Sequence, residues 1–428
     1  PKLGLKSRPD RSAAAEAYSV DNREAQCLHD RPRMSDSHKP WGLLLLLMAM
    51  TAIGPTTLNI LVPALPQLAG KLRSDVATLQ LTVSLYLVGL AVAQLVMGPL
   101  SDRFGRRPVI LAGLTLTVCA SLLALVMSTV ESLIVARVMQ AVGASTGIVV
   151  GRAIIRDLFD RNHAASIIGL VATVMVIAPT LGPLIGGVLD TAFGWEAIFA
   201  FTGATSFIVL IWVLMTLPET RSLNAPVTER QGFFRDLRDL STSRALWAYV
   251  LAAALGSGTF FAFLGGGPHV VVTLMGRSSA EYGVWFALSS IGYMAGNYTT
   301  SRLSTRYGID PLIWWGIGIE AIGVGLATLL AATALSWGPA IVFVPQMIVS
   351  FGNGLLLPGS ISGAVSVRPQ AAGTAAGIIG CGQMALGAAI AQYAGTLLAV
   401  SSSAMPMALL MVAIVVGLIM SFSVLGRR

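Results

Sequence analysis

The chain has 428 residues, of which 55% are hydrophobic and 11% are charged. Because a soluble domain carries about a quarter charged residues, this composition excludes a soluble protein and indicates an integral membrane protein. The net charge of +8 is spread over many short polar segments, so we assign it to membrane topology and expect no nucleic-acid partner.

Metal and redox chemistry find little support in the sequence. The cysteines Cys27, Cys119 and Cys381 are far apart and form no CxxC pair. Only four histidines occur, and no HExxH motif is present. We therefore expect no metal site and no cofactor.

The first 40 residues are polar and mixed in charge, and we expect them to form a disordered cytoplasmic tail. The sequence begins with Pro1, whereas Met34 shortly precedes the first apolar segment. One interpretation of this start is that residues 1–33 are not part of the native protein. A cleaved signal peptide is disfavoured because the apolar run from Leu43 to Leu65 is too long.

Twelve apolar segments follow, each about as long as the ~20 residues that cross a bilayer as a helix. Their predicted limits are 41–65, 77–99, 108–128, 131–152, 164–190, 196–217, 245–268, 279–301, 311–333, 337–359, 371–397 and 405–425. The predicted fold is therefore an all-α polytopic membrane protein.

One longer polar connection divides the spans into six plus six. It runs over residues 218–244 and separates an N-terminal bundle at 41–217 from a C-terminal bundle at 245–425. Within it, residues 233–240 are predicted to form a short amphipathic helix on the membrane surface. Paired halves with a site between them are the usual plan of a transporter.

The basic residues define the topology. Most of the 28 Lys and Arg residues fall on one side of this layout, and the other side holds Lys71, Arg73 and Arg277. The positive-inside rule then predicts that both termini are cytoplasmic. We expect a multi-pass protein of the inner (plasma) membrane.

The link between the second and third spans reads GPLSDRFGRR over residues 98–107. An ordinary basic loop would explain its arginines, but not Gly98, Asp102 and Gly105 at fixed offsets. Gly98 permits close helix approach, and Asp102 can accept from a helix N-terminus or pair with an arginine. A weaker copy, RLSTRYG, follows the eighth span at residues 302–308.

Two further patterns lie within the spans. Arg137 of the fourth span is costly in a membrane, so it should face a polar cavity; the alternative is a side chain that snorkels to the interface. In the fifth span, APTLGPLIGG at residues 178–187 loosens the helix and permits close packing. Its defining residues are Pro179, Gly182, Pro183, Gly186 and Gly187.

The segment at 98–107 resembles the G-x-L-x-D-R-x-G-R-R signature of the major facilitator superfamily. Further segments extend the resemblance to the bicyclomycin/chloramphenicol/florfenicol-resistance (Bcr/CflA) branch of the drug:proton antiporters: Val62–Pro66, Leu79–Tyr86, Arg156–Phe159, Phe260–Phe263 with Pro268, and Ala372–Ala375.

This resemblance implies several roles. It implies a conformational motif formed by Gly98, Asp102, Arg103, Gly105, Arg106, Arg107 and Asp157. It associates Arg137 with proton coupling and the fifth-span motif with export. We expect Asp102 to dock near Ala371–Thr374, at the start of the eleventh span, and to close the cytoplasmic side.

One position departs from the branch, which usually has an aspartate where this chain has Asn59. An amide can hydrogen-bond a ligand but cannot titrate. Glu320 is the only carboxylate well inside an apolar segment, so it is the candidate coupling acid; a structural or interfacial glutamate is the alternative. His269 can titrate near neutral pH, but is also explained as an interfacial residue.

The candidate ligand surface is soft and apolar. It consists of Asn59, Tyr86, Arg137, Met175, Phe260, Phe261 and Phe263. The aromatic residues and Met175 are equally explained by lipid-facing or core packing.

The sequence therefore favours a monomeric exporter of amphipathic drugs, such as phenicols, by proton antiport and alternating access. The alternative is a carrier of a nucleoside, amino acid or sugar derivative. An enzyme is disfavoured because the spans lack a Ser/His, paired-Asp or metal-ligand constellation, and a sensor because no signalling domain is attached.

Overall fold

The computed structural model of the chain describes residues 41–127, 129–159, 161–220, 238, 240–333, 338–368 and 372–426, apart from some side chains between 156 and 176 and those of 333, 372 and 373. The predicted tail at 1–40 and most of the linker, including nearly all of the amphipathic segment at 233–240, lie outside these residues.

The described part is helical throughout and contains twelve long helices. They are α1 (Trp41–Ile60), α2 (Val76–Phe104), α3 (Arg106–Val126), α4 (Val130–Leu158), α5 (Arg161–Phe193), α6 (Glu196–Thr216), α7 (Arg244–Pro268), α8 (Ser279–Tyr307), α9 (Ile309–Thr333), α10 (Ala340–Val367), α11 (Ala372–Ala399) and α12 (Met405–Leu425). The predicted all-α class and twelve helices are confirmed.

Several helices extend beyond the predicted apolar spans. α2, α4, α8 and α10 continue to Phe104, Leu158, Tyr307 and Val367, one to two turns past the predicted limits. Hydropathy marks only the length that lies in lipid, whereas backbone hydrogen bonds continue a helix into water.

Proline shortens α1 relative to its predicted limit. The helix ends at Ile60 and the chain continues through a 3₁₀ turn, Val62–Ala64, into a short helix, Leu65–Lys71. Pro63 has no amide proton to continue the α-helical ladder, which explains the break. The next helix begins at a side-chain cap, because the hydroxyl and amide of Thr78 donate to Asp75 at 2.6 and 2.9 Å. These bonds lower the pKa of the Asp75 carboxyl.

Among the described residues, ten helices are long and apolar enough to cross a membrane. α8 does not meet that composition, and the described apolar part of α5 is the shorter stretch Ile177–Phe193. α8 is rich in Gly and Ser, and it buries that surface against α5 and α10.

The helices pack as two groups, α1–α6 and α7–α12, that contact each other mainly through the pairs α2–α11 and α5–α8. One end of the bundle carries Arg103, Arg106, Arg107, Arg302 and Arg306, and we call it the arginine-rich end. The end that carries Lys71, Arg73 and Arg277 is the opposite end.

Candidate functional site

Arg137 lies in the interior of the first helix group. It is two turns from the start of α4 and only 1% exposed. Its Nη1 donates to the Thr57 carbonyl and to the Gln140 side chain, both at 2.9 Å, and its Nε donates to the Thr82 carbonyl at 3.4 Å. The guanidinium therefore binds α1 and α2 from within α4, and does not reach towards an interface.

Tyr86 of α2 forms one wall of this pocket. Its ring centroid lies 4.4 Å from the Arg137 guanidinium carbon, a cation–π distance. Its hydroxyl donates to the Gly54 carbonyl at 2.9 Å. Gln140 extends the network to α3 by donating to Ser121 at 2.8 Å.

Two polar atoms of this region are left without partners among the described residues: Nη2 of Arg137 and Oδ1 of Asn59. The Asn59 amide nitrogen donates to the Pro55 carbonyl at 2.8 Å. Buried polar groups are normally hydrogen-bonded, so one free donor and one free acceptor here are suited to a polar ligand. None of the hydrogen bonds of Arg137 described above goes to a carboxylate.

The glycines of the fifth-span motif bring α5 against neighbours on two sides. A Cβ at Gly182 would lie 3.0 Å from that of Asn59, and one at Gly186 would overlap the Ile60 carbonyl of α1. One at Gly187 would overlap the Ser279 carbonyl of α8, in the other group. These glycines permit backbone contact that any side chain would prevent.

The motif at 98–107 is not a loop. α2 and α3 are separated by Gly105 alone, at φ 100°, a backbone conformation that glycine adopts without strain. Arg106 donates to Asp102 at 2.5 Å, to Ser101 at 2.7 Å and to Asp157 at 3.0 Å. The motif therefore joins α2, α3 and α4 within one helix group.

Glu219, after α6, was not identified from the sequence. Its carboxylate accepts from the backbone amides of Arg106 and Arg107, at 2.9 and 3.1 Å, and so caps α3. Arg107 also donates to the Leu214 carbonyl of α6 at 2.9 Å. An acid directly after the sixth span was the available signal, but no spacing linked it to a helix 113 residues earlier.

The other motif residues are more open. The Asp102 side chain is 64% exposed and pairs with Arg106. The guanidinium carbon of Arg103 lies 5.3 Å from the ring centroid of Phe104. A Cβ at Gly98 would have Val149, at 3.8 Å, as its one described neighbour within 4 Å. Ala371 lies outside the described residues, so docking of Asp102 near α11 stays a prediction.

The predicted aromatic ligand residues differ in exposure. Phe263 is 1% exposed and packs among rings of α8 and α10, including Phe343 at 5.4 Å between centroids. Phe261 is buried against Gly387 of α11, and Phe260 is half-buried. In this conformation Phe263 packs in the core, and Phe260 is the most accessible of the three side chains. The Met175 side chain lies outside the described residues.

Glu320 of α9 is fully buried, and neither carboxylate oxygen has a hydrogen-bond partner among the described residues. It packs on Gly352 of α10, with Gly256 of α7 close by. This environment is neither interfacial nor hydrogen-bonded. A second buried carboxylate, Asp190 near the end of α5, is 4% exposed. It is the last residue of the predicted fifth span and is not among the site residues predicted from the sequence.

The two helix groups touch at the opposite end. Ser279 of α8 donates to the Pro63 carbonyl at 3.0 Å and accepts from Gln67 at 3.2 Å. The Ala280 amide donates to Thr191 of α5 at 3.2 Å. We call these residues, with Gly187, the opposite-end gate.

A second contact between the groups joins α2 and α11. Gln392 donates to the Ala77 carbonyl at 2.8 Å, and a Cβ at Gly395 would lie 3.1 Å from that of Gln80. Nearer the arginine-rich end of α11, a Cβ at Gly377 or Gly380 would meet nothing within 4 Å. The groups therefore close together at one end of the molecule.

The chain matches the profile of the Major Facilitator Superfamily over residues 45–392. It is 31% identical over 346 residues to Multidrug resistance protein D of Escherichia coli (strain K12), covering 79% of this chain and 84% of that relative. It is 30% identical over 359 residues to the Chloramphenicol resistance protein of Pseudomonas aeruginosa, covering 83% of each.

The fold is similar to that of a bacterial homolog of the human lysosomal transporter Spinster, solved in an inward-facing and unoccupied conformation. The TM-score is 0.71 at 17% identity, over 91% of this chain and 97% of that one. At this identity the likeness concerns the fold alone.

Proposed function

The chain belongs to the Major Facilitator Superfamily, and from this premise we propose that it exports neutral, amphipathic drugs of the phenicol type in exchange for protons. Two of its relatives carry the names of multidrug and chloramphenicol resistance proteins. The family comprises transporters, so transport and not catalysis is the expected activity. Both helix groups belong to one chain, and we propose that it acts as a monomer in the inner (plasma) membrane.

The observation that carries the ligand class is the isolated cation in the interior. Arg137 is held by backbone carbonyls and a neutral amide, and its Nη2 has no hydrogen-bond partner in the described part of the chain. Its guanidinium stays protonated at physiological pH. Such a fixed charge repels cationic drugs and favours neutral or anionic ligands that accept a hydrogen bond.

The proposed mechanism is alternating access. On the positive-inside rule we assign the arginine-rich end to the cytoplasm. The contacts between helix groups at the opposite end then correspond to an inward-facing state. In the outward-facing state, Asp102 would dock on the start of α11 and hold the cytoplasmic side closed, worth about 0.5–2 kcal/mol if it faces the helix N-terminus.

For proton coupling we propose Glu320 together with Arg137. Asn59 cannot titrate, whereas Glu320 is a buried carboxylate without a described partner. An unpaired carboxylate in such surroundings is far less costly when neutral. Its conversion between neutral and ionised forms would therefore require helix movement that admits water.

The test is drug accumulation in a host that lacks its own efflux pumps, with and without a protonophore. We expect phenicols to be excluded from cells and lipophilic quaternary ammonium compounds to be exported poorly. Glu320→Gln should export without response to the protonophore, or not at all, at unchanged membrane expression. A strong preference for quaternary ammonium compounds would contradict the proposed ligand class. Export by Glu320→Gln with the same response to the protonophore as the wild type would contradict the role of Glu320 in proton coupling.

A further inference from the structure

A buried carboxylate lies at the contact between the two helix groups. Asp190 of α5 is 4% exposed, and neither of its oxygens has a hydrogen-bond partner among the described residues. Gly187 and Thr191, on either side of it in α5, both contact the first turn of α8. The carboxylate is therefore enclosed where the opposite-end gate closes.

The groups that act on this carboxylate come from three neighbouring elements. The Ser279 hydroxyl of α8 lies near enough to favour the ionised carboxylate, but it donates to the Pro63 carbonyl at 3.0 Å. Lys71 ends the short helix Leu65–Lys71, and Glu196 begins α6. Lys71 is exposed, so water and salt weaken its attraction for the carboxylate. Glu196 is acidic and opposes the ionised form of Asp190. The local charges thus do little to offset the loss of water.

Gate closure and protonation are therefore linked. Burial of an unpaired carboxylate disfavours its ionised form, whereas separation of α5 and α8 would return the group to water. We propose that Asp190 is a proton-binding site of the gate, which takes up a proton from the solution at the opposite end on closing and releases it there on opening.

This site is distinct from the proposed coupling through Glu320, because its proton returns to the side from which it came. The proposal rests on the alternating-access cycle of the proposed function but requires no particular drug. One proton taken up on closing shifts the closed-to-open ratio up to tenfold for each unit of pH. Acid outside would favour the closed gate.

The experiment measures the distance across the gate in the full-length protein, in lipid nanodiscs without drug. Spin labels are placed at Arg73→Cys and Ser402→Cys, two exposed positions on different helix groups, after Cys27, Cys119 and Cys381 are changed to Ser. Between pH 8 and pH 5 we expect the closed population to rise at least tenfold relative to the open one.

Asp190→Asn should remain mostly closed and lose at least nine-tenths of that pH response, because an amide is neutral at every pH. If the asparagine variant fails to fold, Asp190→Glu provides the test, and it should keep the pH response because its side chain still titrates. Glu196→Gln should keep the response with its midpoint moved to lower pH, because the substitution removes a charge that opposes ionised Asp190. A parent without a pH response, or an Asp190→Asn protein with the full response, would overturn the proposal. Failure of drug export alone would leave these distances unchanged and would count only against the proposed function.

Discussion

At the scale of single residues, Arg137 is the most unusual group in the described part of the chain. A cation that is 1% exposed needs several polar partners to offset its loss of water. Backbone carbonyls of α1 and α2 supply them, together with the ring of Tyr86. The described partners of Arg137 are all neutral, so these contacts do not require a full charge, and we propose that the charge serves transport.

Arg137→Met should abolish drug export and lower stability by only about 1–3 kcal/mol, because the buried Gln140 side chain loses its donor. Arg137→Lys should restore export poorly, because an ammonium does not reproduce the planar fork that bonds Thr57 through Nη1 and Thr82 through Nε. Accumulation assays and thermal unfolding of the purified variants provide the measurements. Wild-type export by Arg137→Met would refute the transport role, and strong destabilisation would favour a structural one.

Asn59 offers a second test at this scale, since its Oδ1 is buried without a described partner. Asn59→Asp places a titratable acid at that point. We expect drug transport in vesicles to depend more steeply on an imposed pH gradient, with a changed choice of ligands. Asn59→Gln adds no charge and serves as the control. Unchanged gradient dependence and selectivity in Asn59→Asp would place this residue outside the path.

At the scale of elements, α5 is the helix on which both helix groups meet. Its glycines contact α1 on one side and α8 on the other. The motif that the family resemblance associates with export therefore lies on the helix that forms part of the opposite-end gate. The motif at 98–107 acts within one helix group in this structure, since its hydrogen bonds join α2, α3, α4 and α6.

Gly186→Ala should lower stability by about 1–3 kcal/mol, because the added methyl would overlap the Ile60 carbonyl and force α1 and α5 apart. The unfolding temperature of the purified protein reports this change. Gly325→Ala on α9 is a matched control, because a Cβ there meets nothing within 4 Å. Equal stability of the two variants would show that the α1–α5 contact is looser than described.

At the scale of the whole molecule, the two helix groups touch at one end, while glycines of α11 nearer the other end face open space. The pair Gln80 and Gly395 reports on this arrangement, since their Cβ positions would lie 3.1 Å apart. A small separation of the two helices would bring this distance into the range of about 3.5–4.5 Å that a disulfide needs.

Gln80→Cys with Gly395→Cys, in a background without the native cysteines, should form a disulfide on oxidation and stop export. A reductant should restore it, because alternating access requires this contact to open. Mobility on non-reducing gels and drug accumulation are measured in parallel, with Gly395→Cys alone as the control. Full export by the oxidised double variant would contradict the proposed opening of this end.

Hydropathy sufficed to predict the helices and their order, because each membrane helix satisfies its own backbone hydrogen bonds and must be apolar over a bilayer's thickness. It failed at helix ends, as in α1 and α2, where proline or water-exposed turns set the limit. The motif at 98–107 was visible because its residues are adjacent, and Arg137 because a charge in an apolar run is rare.

Contacts between distant segments depended on the tertiary structure. Glu219 caps α3 and Asp190 lies against α8 because helix packing brings together residues separated by some 90 to 113 positions, and no local pattern encodes such a pair. Which end is closed follows from the relative position of the two helix groups, which in the proposed alternating-access cycle would come together at either end in turn. Its physical basis is the balance of contacts between the groups, which is a property of the assembled helices and not of any one segment.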